Sequence, residues 1–138
     1  MGLFNFPQVD TSVEVVFSVD GDEYEVEQFK IAFHQPVDNR KNQPEGEIRG
    51  GRIMLTLAQT VKSNIYGWAL KNWMKKGGNI LFKTGTSGVI FNIQFNNAYC
   101  IKLHRNIDAI GGGLTTTLII SPETVMLNGI EFDNGWVE

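Results

Sequence analysis

The sequence predicts a mainly β domain: a small β-barrel formed by two curled antiparallel sheets, with one α-helix packed against it. Three observations carry that expectation. Apolar and polar residues alternate with period 2 in segment after segment, turn-forming residues separate those segments, and only one stretch has helical periodicity. The 138 residues fit one domain over 1–138, with a single core able to bury roughly two-thirds of the unfolded surface.

The first strand is read from Val13, Val15, Phe17 and Val19 alternating with Ser12, Glu14 and Ser18. Asp20-Gly21-Asp22 follows. A calcium loop needs more carboxylates at fixed spacing and a closing glutamate, so this triplet reads as a hairpin turn. In the next strand Tyr24 and Val26 share one parity and Phe29, Ile31 and Phe33 the other. That switch near Glu27 and Gln28 predicts a bulge, a device that helps a sheet curl. Residues 35–47, QPVDNRKNQPEGE, are polar and long for a connection between strands. On their composition alone they are either a solvated connection or a functional loop.

A strand with Ile53, Leu55 and Leu57 on one face and Arg52, Met54 and Thr56 on the other comes next. Residues 63–76, SNIYGWALKNWMKK, give the helix, with Ser63 as N-cap and Gly77 as the stop. On a helical wheel Ile65, Tyr66, Trp68, Ala69, Leu70, Trp73 and Met74 cover an arc of roughly 240°, against about 100° for one contact face. Asn72 also falls within it. A face so wide predicts two neighbours, the helix's own barrel and an adjacent subunit, so Tyr66, Trp68 and Trp73 are the interface candidates, one tryptophan anchoring the core. The competing reading places the whole helix in the core of a monomer. Strands over 80–83, 89–95 and 98–104 follow, the first two joined by a turn through 84–88, then strands over 114–121 and 124–128. Asn128-Gly129 turns the chain into a short strand over 130–132.

Chemistry-bearing patterns are sparse. Cys100 is the single cysteine, so no intrachain disulfide forms, and its apolar strand marks it as a small buried side chain. Ser87 lies in the wrong register for a hydrolase nucleophile elbow, and the stretch from Gly78 to Thr84 lacks the glycine that precedes the lysine of a phosphate loop. His34 and His104 have no second ligand at metal or catalytic spacing. No catalytic, cofactor or metal site is expected, and no enzyme. A net charge of −3 and a pI near 5.4 give no basic stripe for nucleic acid. MGLFNFPQVD lacks the features of a signal peptide, Phe6 breaks a myristoylation pattern, and no apolar run is long enough for membrane insertion. The expected course is cytoplasmic assembly, then export without a cleaved leader.

Four blocks in order, IRGGRIMLTL, the helix with Trp68 and Trp73, FNNAYCIKL and TTTLIIS, together with FDNGW near the end, resemble the type VI secretion tube protein family, haemolysin-coregulated protein (Hcp, TssD). The similarity covers nearly the whole chain and is nearest a shorter, Bacteroidetes-like branch. The resemblance implies homohexameric rings stacked into the injected tube of a contractile apparatus. Its implied partners are a sheath, a baseplate, a spike protein (VgrG) and secreted effectors that can ride in the lumen. It further implies that the loop reaches from ring to ring, making Asp38, Arg40, Lys41, Glu45, Glu47 and Arg49 stacking candidates, and that Asp108 is a loop or contact residue. Residues 58–63 replace the family's frequent Ser-Thr-Asp-Asp helix entry, and residues 82–89 lack the lysine-rich character of many relatives. The alternatives are another phage-like or contractile tail tube and a monomeric small barrel binding an apolar ligand.

Overall fold

A computed structural model describes residues 13–85 and 88–136. Readings that rest on the amino-terminal residues through Ser12, and on Thr86 and Ser87, lie outside the described residues. Seven strands and one helix follow in the order β1 (Val13–Val19), β2 (Asp22–His34), β3 (Arg49–Leu57), α1 (Ser63–Leu70), β4 (Lys75–Thr84), β5 (Gly88–Asp108), β6 (Gly113–Leu127) and β7 (Ile130–Asp133). All pairings are antiparallel, in the order β3-β2-β1-β4-β5-β6-β7, and β3 also pairs with β6. That extra pairing closes β1 to β6 into a barrel, which removes the open edges that a flat sheet would expose. The two curled sheets are thus halves of one continuous hydrogen-bonded wall.

Alternation explains what fills it. Phe17, Ile53, Leu55, Leu57, Ile80, Ile93, Phe95, Leu118 and Ile120 are all fully buried, and their strand neighbours point outward. Asp20 (φ 55) with Gly21 (φ 80), and Asn128 (φ 48) with Gly129 (φ 88), adopt the left-handed conformations that two-residue hairpin turns require. The bulge near Glu27 is present as a register shift between Val26 and Gln28, and a second lies between Ile31 and Phe33. They bend β2 so that both parities of its apolar residues reach the core.

Three boundaries differ from the sequence reading, each because pairing overrides local pattern. The strands expected over 89–95 and 98–104 are one strand, β5; the Asn96-Asn97 pair that suggested a break is a bulge against β4, with Asn97 at φ 50. Those over 114–121 and 124–128 are likewise one strand, β6, running through Pro122. Pro122 falls after the last β3 pair, Ile53 with Ile120, and before the first β7 pair, Thr124 with Asp133, where no ladder bond from its nitrogen is needed. The helix ends at Leu70 instead of Lys76, and Lys71 is already extended at φ −100, ψ 129. From Lys75 the chain pairs with Tyr99, so the helical pattern of residues 71–76 yields to a ladder, and Gly77 lies within β4. Ser63 is the first helical residue and not the N-cap; Lys62 takes that place without a side-chain cap. The Lys62 N–H instead donates to the Tyr24 hydroxyl at 3.2 Å. Eight residues make a marginal helix alone, so it is held by the burial of Ile65 and Trp68.

Candidate functional site

Between β2 and β3, residues 35–48 form a projecting hairpin. Val37 bridges Pro44, the Asp38 N–H donates to the Gln43 carbonyl at 2.8 Å, and the Glu45 N–H donates to the Pro36 carbonyl at 2.8 Å. The Asp38 carboxylate accepts from the Arg40 N–H at 2.9 Å, closing an Asx turn that fixes the tip. Asp38 is therefore half-buried and engaged inside the loop, whereas Arg40, Lys41, Glu45, Glu47 and Arg49 are exposed and display charges of both signs. At the base, Gly50 sits at φ 133, and a Cβ there would lie 2.3 Å from the Ala32 carbonyl oxygen. That close approach is the physical content of the RGGR motif.

The helix end builds a second surface. Trp68 is 1% exposed; its Nε1–H donates to the Ala98 carbonyl at 2.9 Å, and its ring stacks on Phe95 with centroids 6.3 Å apart. It is the core-anchoring tryptophan, and its surface is spent inside the chain. Tyr66 is half-buried, its hydroxyl accepting from Arg105 at 2.6 Å. Trp73 is not on the helix; it is 81% exposed and sits at φ 65, a left-handed conformation uncommon for a bulky residue. The 240° arc assumed a helix through Met74 and does not exist in that form. In its place Trp73 meets Tyr99 edge-on at 6.0 Å, Trp136 stacks on Tyr99 at 5.2 Å, and Lys75 lies 5.7 Å from the Tyr99 ring centre. Trp73 and Tyr99 border a surface hollow of about 390 Å³ that also touches Met74 and Ile101.

Sequence reasoning singled out FDNGW without its geometry. Phe132 packs edge-on against Phe33 at 5.0 Å, and the Asn134 side-chain amide donates to the Gly50 and Pro122 carbonyls at 3.3 and 3.0 Å. The motif ties β7 to the start of β3 and delivers Trp136 to Tyr99. Asp108 is a loop organiser, its carboxylate accepting from the Ile110 and Gly111 N–H groups at 3.1 and 2.8 Å. It leaves Ile110 99% exposed at the hairpin tip, a position no periodicity marks.

Chemical groups are few and occupied. Burial pushes the Cys100 thiol up to about 11, and its sulfur donates to the Lys102 carbonyl at 3.5 Å. His34 and His104 are exposed on β2 and β5, and among the described residues no three His, Cys, Asp or Glu side chains gather as metal ligands. No helix among the described residues is long and apolar enough to cross a membrane.

A family model described as Hemolysin coregulated protein Hcp (TssD) matches residues 11–137. The chain belongs to the Hcp (TssD) family. Hcp from Flavobacterium johnsoniae, the structure of Hcp1, is similar at 29% identity and a TM-score of 0.80 over 88% of this chain and 99% of that one. Hcp1 from Salmonella typhimurium shares the fold at 11% identity, TM-score 0.67, over 87% and 91% of the two chains. A structure of the sheath/tube terminator of PVC, an extracellular contractile injection system, shares it at 16% identity, TM-score 0.59, over 90% and 98%. Comparison with curated protein sequences gives no significant match. Membership in the Hcp family makes this a structural type VI tube protein and not an enzyme.

Proposed function

We propose that the chain closes into homohexameric rings that stack into the injected tube, with Tyr66 and Trp73 facing the neighbouring subunit and the 37–47 hairpin, with Arg49 at its base, facing the next ring. The observation that carries this reading is the pairing of an Hcp barrel with two surfaces that the subunit leaves uncovered. Trp73 holds a left-handed backbone conformation and turns its indole to solvent, where a covering partner would gain a large apolar burial. The hairpin is stiffened by its own hydrogen bonds yet offers the core little apolar area. A cyclic assembly uses unlike patches on its two sides and closes without leaving a sticky end. Assembly in the cytoplasm, passage with sheath, baseplate and VgrG spike, effectors in the lumen, and export without a leader complete the proposal. The test is light scattering joined to electron microscopy of the purified protein: a mass near six protomers and ring-shaped particles are expected, and a monomer at micromolar concentration refutes it.

The monomeric ligand-binding barrel loses its support, since Phe17, Trp68, Phe95 and the aliphatic residues around them fill the interior.

A further inference from the structure

The β1–β2 turn supplies the acid of both ion pairs found among the described residues. Asp22 Oδ1 accepts from Lys62 Nζ at 2.7 Å, and Asp20 Oδ2 accepts from Lys76 Nζ at 2.5 Å. The same Asp20 oxygen accepts from the Asn64 side-chain amide at 2.7 Å. Asn64 lies in the first turn of α1 and Lys76 is the second residue of β4, so one carboxylate oxygen ties both ends of the segment 64–76. Within that segment Ile65 and Trp68 are buried against the barrel, whereas Leu70 and Trp73 are 79% and 81% exposed. Burial anchors the helix. The return from Leu70 to β4, which carries the exposed pair, is set by where its far end is tied. There the Lys76 side chain is only 17% exposed, which shields its bond to Asp20 from part of the solvent screening.

We propose that Asp20 is a positioning residue for assembly: its clasp on Asn64 and Lys76 holds Leu70 and Trp73 in the arrangement that a neighbouring subunit meets, and protonating the clasp loosens the ring. That role presupposes the ring proposed above. The charged groups around Asp20 are Lys76 on β4 and the Lys62–Asp22 pair that joins the helix entry to β2. The hollow of about 340 Å³ that Asp20 also lines adds only uncharged side chains, among them Ser18, Asn79, Gln94 and Asn96. The hydrogen bond from Lys76, then that from Asn64, holds the Asp20 carboxyl below its ordinary 3.8. A lowered folded value makes the clasp complete above pH 3.8 and releases it as pH falls through the folded value. A partly exposed pair shifts an equilibrium by about twofold to fivefold, and a closed ring contains it once at every interface, so its loss compounds.

The experiment compares the full chain with Asp20→Asn, Lys76→Gln and the double variant, each checked for its fold by circular dichroism. Asparagine tolerates the left-handed turn at φ 55, so Asp20→Asn removes the charge and leaves the backbone alone. Light scattering over a dilution series gives the concentration at which the ring half dissociates, and hydrogen exchange on the diluted subunit at pH 7 reads residues 70–75. At pH 7 each single variant should raise that concentration about fivefold, the double variant should add little more, and exchange over 70–75 should quicken several-fold. As pH falls below 3.8 the parent should approach Asp20→Asn and the gap between them should close. Fully additive single variants, unchanged exchange, or a gap that stays open at pH 2 overturns the clasp. Rings whose dissociation ignores all three variants sink this inference alone. A parent that is monomeric at every concentration sinks the ring reading, even where exchange over 70–75 still responds to Asp20→Asn.

Discussion

Trp68 and Trp73 are five residues apart, yet the structure gives them opposite energetics, and exchanging each for alanine tests that assignment. Trp68→Ala removes a fully buried indole, its stack on Phe95 and the donor to the Ala98 carbonyl. Large-to-small changes of this kind cost about 4 kcal/mol, and with a urea dependence of about 2 kcal/mol per molar the midpoint should fall by about 2 M. Trp68→Phe keeps much of the volume but orphans the carbonyl, for a smaller loss of about 1–2 kcal/mol. Trp73→Ala should change the subunit's own stability by no more than about 0.5 kcal/mol, because the indole is exposed and alanine keeps the same left-handed backbone. On the proposed ring reading, its effect should fall on assembly. Circular dichroism in urea at several protein concentrations separates the two, since only an assembly contribution depends on concentration. The reasoning is refuted if Trp73→Ala unfolds the subunit at every concentration, or if Trp68→Ala leaves the urea midpoint intact and only dissociates the ring.

Replacing residues 37–47 by a short Gly-containing turn should leave rings in light scattering but abolish tubes in electron micrographs and secretion in culture supernatants, with high salt weakening stacking before ring closure; normal tubes would make the hairpin a mere connection. Native Cys100 should resist iodoacetamide at pH 8 and react once unfolded, because a thiol pushed up to about 11 holds almost no thiolate there; rapid labelling of the native protein refutes its burial. The hydrogen bond from Lys76, joined by one from Asn64, holds the Asp20 carboxyl below its ordinary value of 3.8. A lowered folded value gives stability that is present above 3.8 and lost as pH falls through the folded value. Asp20→Asn tolerates the same turn at φ 55, so the thermal midpoint gap between it and the parent should be open at pH 7 and close below pH 3.8; a gap that persists at pH 2 would contradict this origin.

What was legible in the sequence follows the range of the forces involved. Strand faces could be read because burial imposes period 2 on neighbours, so Phe17, Ile53, Leu55 and Leu57 declare themselves, as does the parity switch around Glu27. Two-residue turns could be read because few residues accept φ > 0. Boundaries set by distant partners could not. Nothing near Lys71 announces that Lys75 will pair with Tyr99, and nothing near Pro122 announces that β3 has ended and β7 has not begun. The interface candidates suffered most, since the wheel that joined Trp68 to Trp73 assumed a helix running to Lys76, whereas the helix ends at Leu70, before Trp73 is reached.

The failure of that wheel strengthens the functional reading more than its success would have. Had Trp73 continued the helix, its exposure would have been an ordinary consequence of amphipathic spacing, and a monomer could have tolerated it. Instead the chain leaves the helix at Leu70 and turns Trp73 through φ 65 before entering β4. A glycine or asparagine there would make the same turn at lower cost. Keeping tryptophan at such a position, against Tyr99 and beside Trp136, makes sense when something beyond the subunit covers the indole. Trp73→Gly is therefore the decisive companion variant: it should match or exceed the parent's stability as a dissociated subunit and still close rings less well. A glycine variant that is less stable as a subunit and assembles normally would show that Trp73 serves its own barrel, and the interface would have to be sought elsewhere.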